Sequence, residues 1–181
     1  MKNSSNGENM IIRRSSTTDL DAIQQLHQSA FGEAEGEAVA QLALALVADP
    51  SKVLSLVAVA ENKVIGHVLF SPIQIVNYDS VSGYILAPLA VAPTAQRQGV
   101  GMKLIRFGLE LLANQSVDIV MVLGDPNYYG RCGFHTEHKL APPYSLPYPE
   151  AWQAIALQEH ALQEVSGLVK CVPVLMAPEY W

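Results

Sequence analysis

One segment near the middle of the chain constrains it most: Leu89-Ala90-Val91-Ala92-Pro93-Thr94-Ala95-Gln96-Arg97-Gln98-Gly99-Val100-Gly101-Met102. A strand feeds a tight polar turn, and the glycine-bearing end of that turn opens a helix predicted over Gly99 to Ala113. Val100, Leu104, Phe107 and Leu111 form its apolar stripe, with Lys103, Arg106, Glu110 and Asn114 opposite. The first amides of such a helix have no intrahelical partner, and the helix dipole adds roughly half a positive charge there. An anion is the natural occupant, and phosphate is a common one. Gly99 and Gly101 let a ligand approach the backbone without a Cβ in the way. Arg97, Lys103 and Arg106 concentrate positive charge here, although the whole chain carries a net charge of −6.

Three nucleotide-binding loops compete for this pattern. A Walker loop requires a Gly-Lys-Ser/Thr ending, which is absent. A Rossmann fingerprint needs a third glycine where Leu104 stands, and an acid ending the next strand, whereas Asp118 precedes that strand. The third fits best. Gln96-Arg97-Gln98-Gly99-Val100-Gly101 resembles the (Arg/Gln)-x-x-Gly-x-(Gly/Ala) loop of the GNAT superfamily of N-acetyltransferases, whose amides grip the diphosphate of coenzyme A.

A second, independent run supports the resemblance. Asn127-Tyr128-Tyr129-Gly130-Arg131-Cys132-Gly133-Phe134 resembles the family's aromatic-Tyr-x-x-x-Gly-Phe signature. With Leu123-Gly124-Asp125-Pro126 before it, it looks like a bacterial subgroup. The resemblance spans about Ile11 to Phe134 and implies a mixed α/β fold. Its central sheet should be mostly antiparallel, flanked by helices and splayed between the fourth and fifth strands, here Tyr84–Val91 and Ile119–Leu123. It also implies acetyl-CoA as co-substrate, no metal, and an amine acceptor. Leu89, Ala90 and Val91 would hold the pantetheine and thioester. Gln96, Arg97, Gln98, Gly99, Val100, Gly101 and Met102 would hold the diphosphate, and Asn127 would touch the arm from the other side. Many members dimerise, so a homodimer is compatible with the resemblance.

The implied reaction is attack of a neutral amine on the thioester. A backbone N–H at Val91 or Leu89 would stabilise the oxyanion, worth ~3–4 kcal/mol. Tyr129 takes the family's general-acid position, facing the leaving sulfur, and Tyr128 is read as a packing residue. A phenol titrates near ~10 and a thiol near ~8.5, so full proton transfer runs uphill by roughly 2 kcal/mol unless the pocket moves those values. Otherwise Tyr129 serves as a hydrogen-bond donor. Arg131 fits a phosphate or a surface ion pair equally well. Some members use a strand-4 glutamate as base, but Tyr84–Val91 contains no acid. By analogy, Glu33, Glu35 and Glu37 would line the acceptor side, with Glu33 and Glu37 as substrate-binding candidates. His27 and His67 stand alone in sequence and are read as structural. His135 and His138 form an H-x-x-H pair with no third ligand in view. A CoA-binding module without turnover, or a transferase of longer acyl chains, fits the same motifs.

The remaining sequence agrees with this class. Its 181 residues favour one domain, taken as 10–181 after a polar, disordered lead over 1–9. Half the residues are apolar, enough for a sizeable core. The acidic balance disfavours nucleic acid, and no apolar run reaches the ~20 residues of a membrane span. The lead lacks the apolar stretch of a signal peptide, and Cys132 and Cys171 form no framework, which points to the cytoplasm. Periodicity predicts a strand at Met10–Arg13, a helix capped by Thr18-Asp19, a break over Phe31–Gly36, and a second helix over Glu37–Val47. Strands follow at Leu54–Ala60, Val64–Val76, Trp152–Leu157 and Leu168–Val174, with a short helix at Asn127–Cys132. Pro72 and Pro88 mark edges, bulges or bends. The proline-rich tail from Pro142 is read as a wall of the cleft or a subunit contact.

Overall fold

The computed structural model describes residues 10–181, so the expectation for 1–9 lies outside the described residues. Strand β1 (Ile11–Arg14) leads through a 3-10 turn (Thr17–Asp19) into α1 (Leu20–Val47). The cap lies slightly upstream of the expected Thr18-Asp19: the Asp19 carboxylate accepts from the Ser16 amide at 2.7 Å. It also takes a forked ion pair from Arg13, at 2.7 and 2.9 Å, and this holds the carboxyl far below its usual range.

The two expected helices form one element with a single break at Gly32 (φ 74, ψ −174), a conformation glycine reaches without a steric penalty. Helix resumes by Glu33, earlier than expected, because the two halves fold closely together. A Cβ on Gly36 would collide with the Gln28 carbonyl.

Strands β2 (Leu54–Ala60), β3 (Lys63–Ile75) and β4 (Gly83–Val91) form antiparallel neighbours. Helix α2 (Val100–Asn114) then crosses to β5 (Ile119–Leu123), which runs parallel to β4. After the short α3 (Pro126–Tyr129) come β6 (Lys139–Ala141), β7 (Trp152–Ala156) and β8 (Ser166–Lys170). The main sheet order is β1-β2-β3-β4-β5-β7, and β8 pairs with both β3 and β6. The last strand was expected at Leu168–Val174. It ends at Lys170 because the chain turns at Pro173 into a 3-10 segment. Strand β6 was not foreseen; three residues are too short for a periodic signal.

The two prolines within strands fall where the ladder is interrupted. On one edge of β3, β2 pairs as far as Phe70 and β8 begins at Gln74. Pro72 fills the gap, where its missing N–H costs no bond. In β4 the register jumps: Val68 faces Leu89, but Phe70 faces Leu86. One extra residue is therefore bulged out at Ala87-Pro88. Pairing with β5 also stops at Leu86, opposite Val122. Beyond it β4 continues with β3 alone, which opens the sheet between the fourth and fifth strands.

The sheet has an apolar layer on each face. Helix α2 covers Leu56, Val68, Phe70, Leu86 and Val122 with Leu104, Ile105, Leu109 and Leu112. The buried stripe is rotated from the expected one: Phe107 and Leu111 lie at its margin. Gly108 is the reason, since the Phe70 ring occupies the space a Cβ would need. Helix α1 covers the other face, where Ile23, Ala43 and Leu46 meet Val57, Leu69 and Ile85. The C-terminal tail completes this layer: Val169, Leu175 and Trp152 are buried in it. Trp152 meets Trp181 edge-to-face at 5.6 Å. Among the described residues, no helix is long and apolar enough to cross a membrane.

Candidate active site

The opening beside β4 leads to a cavity of about 540 Å³. Its floor is the start of α2. Gly99 caps the helix in the left-handed region (φ 80), without a side-chain cap. The first helical bond runs from the Lys103 amide to the Gly99 carbonyl at 3.0 Å. The amides of Val100, Gly101 and Met102 precede that bond and have no helical partner. Two glutamines tether the loop before them: the Gln96 side chain donates to the Val91 carbonyl (3.1 Å) and the Gln98 side chain to the Thr94 carbonyl (3.0 Å). Between them Arg97 adopts φ 61, an uncommon conformation for a non-glycine residue, which puts it on the cavity wall.

Leu89, Val91, Gln96, Arg97, Gly99, Val100, Gly101 and Met102 all line this cavity. Three other expected residues do not. Ala90 is buried on the far side of β4, paired with His67. Gln98 spends its amide on its own loop. Asn127 is exposed, and its N–H is bound to the Asp125 carboxylate, which caps α3. Ala95, Tyr128 and Arg131 join the lining. The sequence left Arg131 equally suited to a phosphate or to a surface ion pair. In the fold its guanidinium lies 5.1 Å from the centre of the Tyr128 ring.

The two tyrosines of α3 divide the space. Tyr128 lines the cavity, and its hydroxyl presses against Gly101 so closely that no Cβ would fit there. It is thus more than the packing residue expected. Tyr129 stands behind it, edge-on to Tyr128 at 5.0 Å and to Phe134 at 6.0 Å, and covers Gly124. Burial pushes the Tyr129 phenol well above its ordinary value, and the neighbouring Tyr128 and Cys132 push the same way. The phenol therefore keeps its proton at neutral pH, and on the tyrosine side the proton-transfer gap anticipated from ordinary values is widened.

Elsewhere the side chains separate. Glu33 and Glu37 are exposed beyond the α1 break. Glu37 accepts from Gln28 and Gln41, at 2.6 and 2.9 Å, which lowers its pKa. His135 and His138 share a second cavity of about 630 Å³ with His160. The His138 ring is fixed between the Leu140 N–H and the Trp152 carbonyl, both at 3.2 Å. Among the described residues, no three His, Cys, Asp or Glu side chains gather as metal ligands.

A bulged strand beside an open helix mouth thus makes a cavity whose floor is suited to an anion. The model of the acetyltransferase (GNAT) family matches residues 20–137, more than half of the chain. The chain belongs to that family. It is 35% identical over 161 residues to the uncharacterised N-acetyltransferase YjhQ of Escherichia coli K12, covering 85% of this chain and 87% of that protein. It is 36% identical over 167 residues to the uncharacterised N-acetyltransferase YhbS of the same strain, covering 89% and 95%. The crystal structure of YhbS from Escherichia coli in complex with CoA superposes with a TM-score of 0.88 at 30% identity, over 98% of this chain and 97% of that one. A GNAT family acetyltransferase from Brucella melitensis in complex with acetyl-CoA gives a TM-score of 0.75 at 29% identity, over 93% and 99%.

Proposed function

We propose that this protein transfers the acetyl group of acetyl-CoA to a primary amine. The observation that carries this reading is the juxtaposition of three features in one cavity: the unpartnered amides of α2, the divergent end of β4, and the Tyr128 phenol of α3 with Tyr129 directly behind it. The CoA and acetyl-CoA complexes of the two similar structures support it.

The diphosphate lies on the amides of Val100, Gly101 and Met102, with Arg97 and Arg131 closing on it. Gln96, Gln98 and Gly99 hold the loop in shape. The pantetheine arm runs along Leu89, Ala90 and Val91, with Asn127 opposite. A β4 amide receives the developing oxyanion. Tyr129 donates a hydrogen bond to the departing sulfur. Its raised pKa supports a donor that never surrenders its proton. Glu33 and Glu37 attract a cationic acceptor from beyond the α1 break.

The test is release of free thiol from acetyl-CoA with a panel of primary amines, followed by mass spectrometry of the amine. Turnover with none of them, despite CoA binding, would sink the reading. One observation favours a second reading, a CoA-binding module without turnover: Tyr129 lies behind Tyr128, outside the cavity lining. Comparing acetyl-, propionyl- and succinyl-CoA separates a longer acyl donor.

A further inference from the structure

Acylation of an amine releases a proton, and nothing assigned so far takes it. The structure holds a group that the proposed mechanism leaves unused. His27 on α1 and His67 on β3 are both fully buried, and His27 Nε2 lies 2.8 Å from His67 Nδ1. His67 Nε2 lies 2.8 Å from Ser55 Oγ, which accepts from Ser15 Oγ at 2.6 Å. At the other end of this chain, His27 Nδ1 has no hydrogen-bond partner among the described residues.

A neutral imidazole carries one N–H, so the chain has two settings. In one, His27 Nδ1 holds a hydrogen and becomes a buried donor with nothing to bind. In the other, His27 Nε2 donates to His67 Nδ1, His67 Nε2 donates to Ser55, and His27 Nδ1 keeps a lone pair. Ser55 then accepts from both neighbours, and the hydrogen left over is its own, on a side chain that is only half-buried, whereas His27 is fully buried. Buried unpaired N–H groups are rarer than under-used acceptors. The second setting is favoured, and it leaves a base at the end of the chain.

The position of this base fits the reaction. His67 faces Ala90 across the β3–β4 ladder. Leu89 and Val91, on either side of Ala90, line the cofactor cavity on the α2 face. The histidine pair therefore occupies the reverse face of the same stretch, under α1. The His27 ring lies parallel to Phe31, with centroids 6.1 Å apart. Phe31 is 37% exposed and immediately precedes the break at Gly32. An exposed aromatic ring thus lies parallel to the His27 imidazole, on the face of the sheet away from α2.

We propose that His27 Nδ1 is the proton acceptor for the attacking amine, reached through one water past Phe31, with His67 as the positioning residue that fixes its tautomer. This rests on the acetyl-transfer reading. The amine nitrogen bonds the carbonyl carbon, and the C–S bond breaks with its electron pair going to sulfur. The proton shed by nitrogen passes to the water as a water proton passes to His27 Nδ1. The imidazolium so formed still donates from Nε2 to His67, and it returns its proton to solvent by the same route. Burial holds His27 near about 4 and His67 near about 3, so both rings start neutral. The charged group that acts on the pair is Asp19, from the turn before α1, itself paired with Arg13.

The experiment uses the full chain, acetyl-CoA, and whichever of spermidine, lysine methyl ester or a glycyl peptide the wild type acetylates. His27→Gln is expected to lower kcat by ~10²–10⁴-fold, the usual contribution of a positioned acid or base. Acetyl-CoA affinity by calorimetry should be unchanged. The residual rate should climb with pH as hydroxide replaces the base, and added imidazole should restore turnover to His27→Ala. His67→Gln, which retains His27 but frees its tautomer, should lower kcat by about tenfold at unchanged affinity. A His27→Gln rate within threefold of wild type, or a loss in either variant that comes with lost CoA binding, overturns the inference and leaves acetyl transfer standing. If the wild type binds acetyl-CoA but acetylates no amine, the functional reading itself fails.

Discussion

Tyr128 and Tyr129 meet edge-to-face with ring centroids 5.0 Å apart, and only Tyr128 lines the cavity. Their substitutions should therefore separate. Tyr129→Phe is expected to lower kcat by about 10–100-fold, the scale of one hydrogen bond to a charged group, with acetyl-CoA affinity nearly unchanged. Tyr128→Phe should weaken acetyl-CoA binding instead and leave kcat within a few-fold. Steady-state kinetics with calorimetry checks both, and equal kcat losses would remove the distinction.

Three glycines should fail in three ways. Gly101→Val drives a side chain into the Tyr128 hydroxyl and over the helix amides, so CoA binding is lost while the melting temperature holds. Gly108→Val meets the Phe70 ring, so the fold itself is destabilised by about 1–3 kcal/mol through overpacking. Gly99→Ala has open space around its Cβ but must keep φ near 80, at a cost of about 1–2 kcal/mol. Thermal melts with and without CoA sort the three.

Acid should unfold this protein in a way that reports on the histidine pair. Both rings have folded pKa values, about 4 and about 3, below the ordinary 6.5. The unfolded chain then binds more protons than the folded one below pH ~6.5, so stability falls as pH falls from there towards the folded values. Each ring adds up to ~1.4 kcal/mol of loss per pH unit in that window. His67→Gln should flatten the decline between pH 6.5 and 4, as read by denaturant melts. An unchanged slope would show that the rings already charge in the native state.

Arg97 and Arg131 face the cavity from the loop and from the turn after α3. Replacing either with alanine should raise the KM for acetyl-CoA about tenfold at low salt with little change in kcat. The difference should shrink as added salt screens the charges. A salt-independent loss would indicate damage to the loop instead of a lost charge contact.

The sequence revealed the parts of this molecule that depend on neighbours in the chain. The Gln96–Gly101 turn, the helix behind it and the Tyr129–Phe134 run are local, so turn chemistry and periodicity exposed the first two and the resemblance to the GNAT signature exposed the third. Pro88 marked the irregular strand because a residue without an N–H disturbs a ladder wherever it falls. What escaped depended on distant contacts. His27 and His67 are 40 residues apart, and only the packing of α1 on β3 makes them a pair. The rotated stripe of α2 depended on Phe70 choosing Gly108. The signature spacing separated Tyr129 from Tyr128 by role but did not show that Tyr128 lines the cavity, since the angle at which α3 meets α2 decides which ring faces it.

The bulge in β4 reverses the strand's parity. Before it, odd-numbered Ile85 looks towards α1 and even-numbered Leu86 towards α2. After it, odd-numbered Leu89 and Val91 turn to the cavity, and even-numbered Ala90 joins His67. Excising one residue at Ala87 or Pro88 would therefore straighten β4 yet keep Leu86 opposite Phe70 and Leu89 opposite Val68, so Leu89 and Val91 would still face the cavity and Ala90 the histidines, while the kink that carries β4 away from β5 would be lost.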